Sequence, residues 1–166
     1  MTADPPAEEW STAEAEIMQA THQALVVHGY PDLSISRIAD ELDKSKSVLY
    51  YHYDSKDDLL ITFLEFAVDR FEMTTSTETG DDPIEDLNHI IKRLLPLQPD
   101  EEQRQLNQVL VGLRSQAVTN EAFREQFTSI DERLTTTIEE TIQEGVDQGV
   151  FRDVDSTQVA EHLLAV

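Results

Sequence analysis

Apolar positions recur at helical intervals from about residue 12 onward, and no stretch alternates convincingly as a strand requires. Ile17, Ala20, Ala24, Leu25 and Val27 form the first stripe, with Ser11 or Thr12 placed to cap its start and Gly29 to end it in a left-handed turn. Two short helices are expected next, over residues 35–42 behind Ser34 and over 46–52 behind Ser45. Ile38, Ala39 and Leu42 face inward from the first of them. Leu49, rather than Val48 on the outer face, does so from the second. A fourth helix starts at Lys56, where Ser55 and Asp58 have capping-box spacing, and carries Leu59, Leu60, Phe63, Phe66, Ala67 and Phe71. "TTSTETGDDP", residues 74–83, breaks the periodicity and reads as a linker. Helices over 84–95, 100–118 and 120–148 follow, the last ended by Gly149 with Val150 and Phe151 set for an apolar cap contact. "DSTQ", residues 155–158, opens one more helix. The chain then stops at "EHLLAV" in mid-pattern, as expected of a truncated chain or of a helix that needs a partner.

Composition narrows what such a helical chain does. With 166 residues, 39% of them hydrophobic, it can bury a real core. The first ten residues, with Pro5–Pro6, read as a flexible leader without the apolar core of a secretory signal. No apolar run approaches the ~18 residues that span a bilayer, so no membrane partner is expected and the location is read as cytoplasmic. There is no cysteine, hence no disulfide and no thiolate site. Against 12 Lys+Arg stand 34 Asp+Glu, a formal charge of −22 spread along every segment rather than gathered in a tail. Dispersed acidity of this kind keeps proteins soluble in concentrated salt and points to a halophile, expected to be an archaeon, that accumulates salt internally.

Against that background "DKSKSVLYYHYDSK", residues 43–56, is anomalous. It holds three of the four lysines, beside three tyrosines and a histidine. Across residues 36–56, Arg37, Lys44, Lys46 and Lys56 balance Asp40, Glu41, Asp43 and Asp54. Two short helices joined by a tight turn after a longer helix have the layout of a helix-turn-helix, whose second short helix enters the major groove. A neutral window there suits a surface that must approach DNA. Taken alone, the lysines read more readily as ordinary solvated side chains.

The stretch "IMQATHQALVVHGYPDLSISRIADELDKSKSVLYYHYDSKDDLL", residues 17–60, resembles the DNA-binding domain of the tetracycline-repressor (TetR) family, through "HGY", "SISRIADEL", "SKSVLYYHY" and "SKDDLL" in order and without a gap. "EGVDQGVFRDVD", residues 144–155, resembles the family's helical ligand domain. The resemblance implies an all-α protein. An N-terminal helix-turn-helix domain over residues 11–56 precedes an effector-binding and dimerisation domain over residues 57–166. It further implies a double-stranded DNA operator, palindromic and usually repressed, a homodimer formed through the C-terminal helices, and a small-molecule effector.

The implied DNA-contacting set is Ser34 and Arg37 as flanking contacts, Lys44, Ser45 and Lys46 at the phosphate backbone, and Ser47, Val48 and Tyr51 at base edges. Tyr50, His52 and Lys56 join them as further phosphate contacts. Val48 suits a thymine methyl. The sequence departs from the family at three places. Asp43 replaces the turn glycine, Ser47 replaces a glycine, and Glu14 and Glu16 stand near the start of the first helix where Arg is frequent.

Other constellations add little chemistry. The five histidines show no metal-ligand spacing, no nucleotide-binding or nucleophile-elbow motif occurs, and carboxylates are too abundant for any pair to signify. No enzyme activity, cofactor or metal is therefore expected. Phe63, Phe66, Leu110, Leu113, Phe123 and Phe127 read first as core, and through the resemblance as walls of an effector pocket, with His89 and His162 beside them. Arg114, within the apolar run "VLVGLRSQAV", meets either an anionic effector or a nearby glutamate. The competing reading of the whole chain is an acidic helical adaptor that uses the same fold to bind a protein rather than DNA.

Overall fold

The computed structural model describes residues 10–78 and 82–165, and these residues form helices only. In chain order they are α1 (Thr12–Asp32), α2 (Ile35–Leu42), α3 (Lys46–His52), α4 (Lys56–Glu78), α5 (Pro83–Leu94), α6 (Glu101–Arg114), a 3₁₀ turn (Ser115–Val118), α7 (Glu121–Asp147) and α8 (Ser156–Leu164). Contacts divide the chain into two units. One comprises residues 1–69 with 100–124, the other 70–99 with 125–166.

Local chemistry sets most boundaries. Ser11 caps α1 in a full capping box with Glu14. Gly29 interrupts that helix as expected, although its φ of 69° goes with an extended ψ of 165° rather than a left-handed helical one. Ser34 accepts the Arg37 N–H at 3.3 Å and starts α2. Asp43 then takes φ 52° and ψ 37°, the one non-glycine residue with positive φ among the described residues. Its backbone N–H and that of Lys44 close the helix on Asp40 and Ala39 carbonyls. Aspartate tolerates this left-handed geometry better than most residues, so the turn survives without glycine.

Several expectations are corrected. Ser45 occupies the N-cap of α3 but makes no cap bond; its hydroxyl pairs with that of Ser47 at 3.0 Å. Asp58 donates its N–H to Ser55 as expected, but its carboxylate accepts from the Asp54 N–H rather than from that of Ser55. The linker expected over residues 74–83 is helical as far as Glu78, and residues 79–81 lie outside the described ones. Thr74 turns its hydroxyl back onto the Arg70 and Phe71 carbonyls, so the hydroxyl is satisfied within the helix. Val27 is exposed because it falls off the stripe that Ile17, Ala20, Ala24 and Leu25 bury. Leu42 is only half-buried. The leader expected over residues 1–10 lies outside the described residues except for Trp10. That residue is held, donating its indole N–H to Asp69 at 2.9 Å and packing edge-on against Phe66.

The first unit buries Ile17, Met18, Ala24 and Leu25 of α1 with Ile38 and Ala39 of α2, Leu49 of α3 and Leu59, Leu60 and Leu64 of α4. Each fully buried leucine or isoleucine contributes about 1.5–3 kcal/mol. The two short helices, α2 and α3, are therefore fixed mainly by packing into this core rather than by their own propensity. The second unit centres on Ile90, Ile138, Ile142 and Ala160, with Phe71, Leu87, Val146 and Leu163 packed around them.

Candidate nucleic-acid interface

Leu49 is the single buried residue of α3, fully enclosed, and it anchors the helix to the core. The rest of that helix and its approach then face outward. Ser45, Lys46, Ser47, Tyr50, Tyr51 and His52 are exposed, Tyr51 at 85%, and Val48 is half-buried. An aromatic side chain so fully in solvent has no packing role, and its edge-on contact is with the neighbouring ring of His52. Ser34 is exposed at the start of α2. Half-buried Arg37 donates a guanidinium N–H to the Asp32 carbonyl, which bridges the end of α1 to α2. The sequence-derived set thus gathers on α2, α3 and the first residue of α4.

Two of its lysines have partners that sequence reasoning missed. Lys44 Nζ lies 2.9 Å from Glu16 Oε2 on α1. Lys56 Nζ sits 4.2 Å from the centroid of the Tyr30 ring, a cation–π geometry. Tyr30 donates a long bond of 3.4 Å to Asp57, and Asp57 accepts from Asn120 Nδ2 at 3.1 Å, just before α7. Burial, then the neighbouring Asp57 charge, pushes the Tyr30 phenol upward. Tyr30 belongs to the "HGY" triplet, the only local signal of this cluster. Tyr53, which ends α3, is buried and pushed up to about 12 by desolvation and by the charges of Glu14 and Asp58. A shallow cleft of about 450 Å³ between α1 and α2 is lined by Glu16, Gln19, Ala20, Gln23, Glu41 and Leu42.

The residues expected around an effector fall in both units. In the first, Phe63, Leu113 and Phe123 are buried, Phe66 and Leu110 half-buried, and Arg114 exposed. In the second, Phe127 is buried, His89 half-buried and His162 exposed. His22, which sequence reasoning left without a role, stacks on Phe63 at 6.2 Å with its Nε2 buried and without a hydrogen-bond partner. Burial lowers its pKa, opposed by the charge of Glu102. Among the described residues no group of His, Asp and Glu is arranged to hold a metal. No helix among them is long and apolar enough to cross a membrane.

Comparison with known proteins agrees with this fold. Residues 17–62 match the family described as bacterial regulatory proteins, tetR family, and residues 83–166 match that of the BetI-type transcriptional repressor, C-terminal. A TetR transcription regulator from Haloarcula marismortui, known from a crystal structure, is 42% identical. The match covers 94% of this chain and 82% of that one with a TM-score of 0.83. A transcriptional regulator from Saccharomonospora viridis, solved in complex with choline, is 30% identical over 94% of this chain and 81% of that one, with a TM-score of 0.77. An HTH-type transcriptional regulator of Mycobacterium tuberculosis is 24% identical over 154 residues, which are 93% of this chain and 71% of that protein.

Proposed function

Since the chain belongs to the TetR family, and is therefore a DNA-binding transcriptional regulator and not an enzyme, we propose that it is a ligand-responsive repressor that binds a palindromic operator as a homodimer. The observation that carries the DNA-binding face is the outward display of α3. One buried leucine holds it while tyrosines, serines, a histidine and a lysine stand in solvent. In this reading Ser47, Val48 and Tyr51 meet base edges. Ser34, Arg37, Lys44, Ser45, Lys46, Tyr50, His52 and Lys56 meet phosphates, which fix register without carrying sequence information. Residues 11–56 form the DNA-binding part, and residues from 57 onward the effector-binding and dimerising part, with the C-terminal helices as dimer face.

The match of residues 83–166 to a repressor's C-terminal region supports the repressing sign. Effector binding shifts the population between a DNA-competent and an incompetent spacing of the two recognition helices, at a coupling worth about 1–3 kcal/mol. The choline bound by the Saccharomonospora viridis protein makes choline the first effector to test. The charge of −22 supports function in concentrated salt. There the Debye length falls to about 3 Å, and close hydrogen bonds and apolar contacts replace long-range attraction.

Selection from a random duplex pool in molar KCl, followed by sequencing of the retained DNA, tests the proposal. An enriched palindrome is expected, with affinity that changes little between low and molar KCl. Folded, dimeric protein that enriches nothing would refute DNA recognition and favour a protein-binding role. A steep loss of affinity towards molar KCl would refute the salt adaptation.

A further inference from the structure

We propose that Glu16 is an intramolecular stand-in for a DNA phosphate. It competes with the operator for Lys44 and so sets both affinity and salt dependence. The inference rests on the reading of Lys44 as a backbone contact.

The turn geometry creates the competition. Left-handed Asp43 and the Lys44 N–H to Ala39 carbonyl bond, 3.2 Å, fix where the Lys44 side chain departs. Its ammonium then reaches α1, twenty-eight positions back in the chain, and rests 2.9 Å from the Glu16 carboxylate. Both side chains stay half in solvent, 42% and 53% exposed, so the pair can open without exposing a core. Glu14, two residues earlier, does not substitute. The Ser11 N–H and hydroxyl hold its carboxylate at 2.9 and 2.6 Å. A carboxylate and a phosphate oxygen offer an ammonium the same charge-assisted hydrogen bond. The ammonium has three donors, but a phosphate brought to the same Nζ would stand within a few ångströms of the Glu16 carboxylate, and the repulsion between the two anions makes them compete for Lys44.

The ionic consequence follows. Neutralising a phosphate on duplex DNA releases about 0.9 of a condensed cation. When Lys44 leaves Glu16 to do so, a carboxylate is uncovered beside a polyanion, in a cleft that already holds Glu41. Solution cations then screen that carboxylate, which offsets the release from DNA. Salt also weakens the Glu16 pair itself, so the lysine becomes more available as its attraction to DNA fades. Both effects flatten the dependence of affinity on salt.

The test compares wild type, E16Q, K44Q and E16Q/K44Q on the selected operator duplex, from about 0.1 M to molar KCl. E16Q is expected to tighten binding at low salt by roughly two- to fivefold per half-site, the range that exposed ion pairs allow. It is also expected to steepen the logarithmic salt slope by up to about 0.9 per half-site, with the curves converging in molar KCl. In the K44Q background E16Q should change nothing. E16D, which keeps the charge but shortens the reach, should behave as E16Q does. An equal gain from E16Q with and without Lys44 would show mere repulsion and overturn the proposal. So would a silent E16Q beside a weakening K44Q. If K44Q itself leaves affinity unchanged, the reading of Lys44 as a phosphate contact fails and the proposal with it.

Discussion

Replacing glycine by alanine at two helical positions should move stability in opposite directions. Gly112 lies in α6 and Gly145 near the end of α7. A methyl added at Gly112 meets nothing within 4 Å. The same methyl at Gly145 falls 2.1, 2.3 and 2.9 Å from three ring carbons of Phe151. The ring lies there because Gly149, at φ 70°, ends α7 and lets the Val150 and Phe151 N–H groups fold back onto the Gly145 carbonyl, each at 2.9 Å. The clash includes the ring's root carbon, so the whole side chain or the backbone must move. Alanine is worth up to about 1 kcal/mol over glycine in a helix interior, at either site. At Gly145 that gain is offset by overpacking, about 1–3 kcal/mol. G112A should therefore stabilise by about 0.5–1 kcal/mol and G145A destabilise by up to about 2 kcal/mol. For a chain of this length each kcal/mol shifts Tm by about 2–4 °C. Thermal unfolding followed by far-UV circular dichroism, at one KCl and one protein concentration, reads the difference. Concentration is fixed because association raises Tm. In an F151A background G145A should regain the stabilising sign. A Tm that rises equally for G112A and G145A would refute the packing argument.

Two further measurements test the recognition elements. S34A removes a real cap from α2 and should cost about 1 kcal/mol, whereas S45A removes none and should change stability by less than about 0.5 kcal/mol while lowering operator affinity. Urea unfolding beside a DNA titration separates the two, and equal stability losses would refute the distinction. Tyr53 supplies a pH test, since its folded-state pKa is raised to about 12 from an ordinary 10. The unfolded chain therefore loses that proton first, so the stability involved is fully present below about pH 10 and is lost as pH climbs towards 12. Phenolate absorbance should show a tyrosine titrating near 12 that Y53F removes, while the upward-shifted Tyr30 remains; an unchanged titration in Y53F would contradict the burial of Tyr53.

What the sequence made legible was local. Ser34, Asp43, Ser55 and Gly149 act on the backbone within a few residues, and the bounds of α2 and α3 and the starts of α4 and α8 follow from such signals. The alternation of enclosed Leu49 with exposed Tyr50 and Tyr51 was equally visible as a face. Features that depend on distant partners were not. Glu16 and Lys44 meet only because α1 and α2 pack, and no spacing rule links residues 28 positions apart. Lys56 over Tyr30 and Asn120 on Asp57 are of the same kind. Thr74 misled for a different reason: its propensity against helix is weak, and its hydroxyl finds acceptors within the helix instead of breaking it.

The pinning of Trp10 has an optical consequence. It is the chain's one tryptophan, and its indole is hydrogen-bonded to Asp69 and edge-on to Phe66, both on α4. The emission of the native protein thus reports a single place, the middle of the helix that begins with Lys56 beside the proposed DNA-facing surface. A shift of that helix alters the polarity and hydrogen bonding around one fluorophore. Operator and small-molecule titrations can therefore be read from the unlabelled protein, with D69N as the control that detaches the gauge.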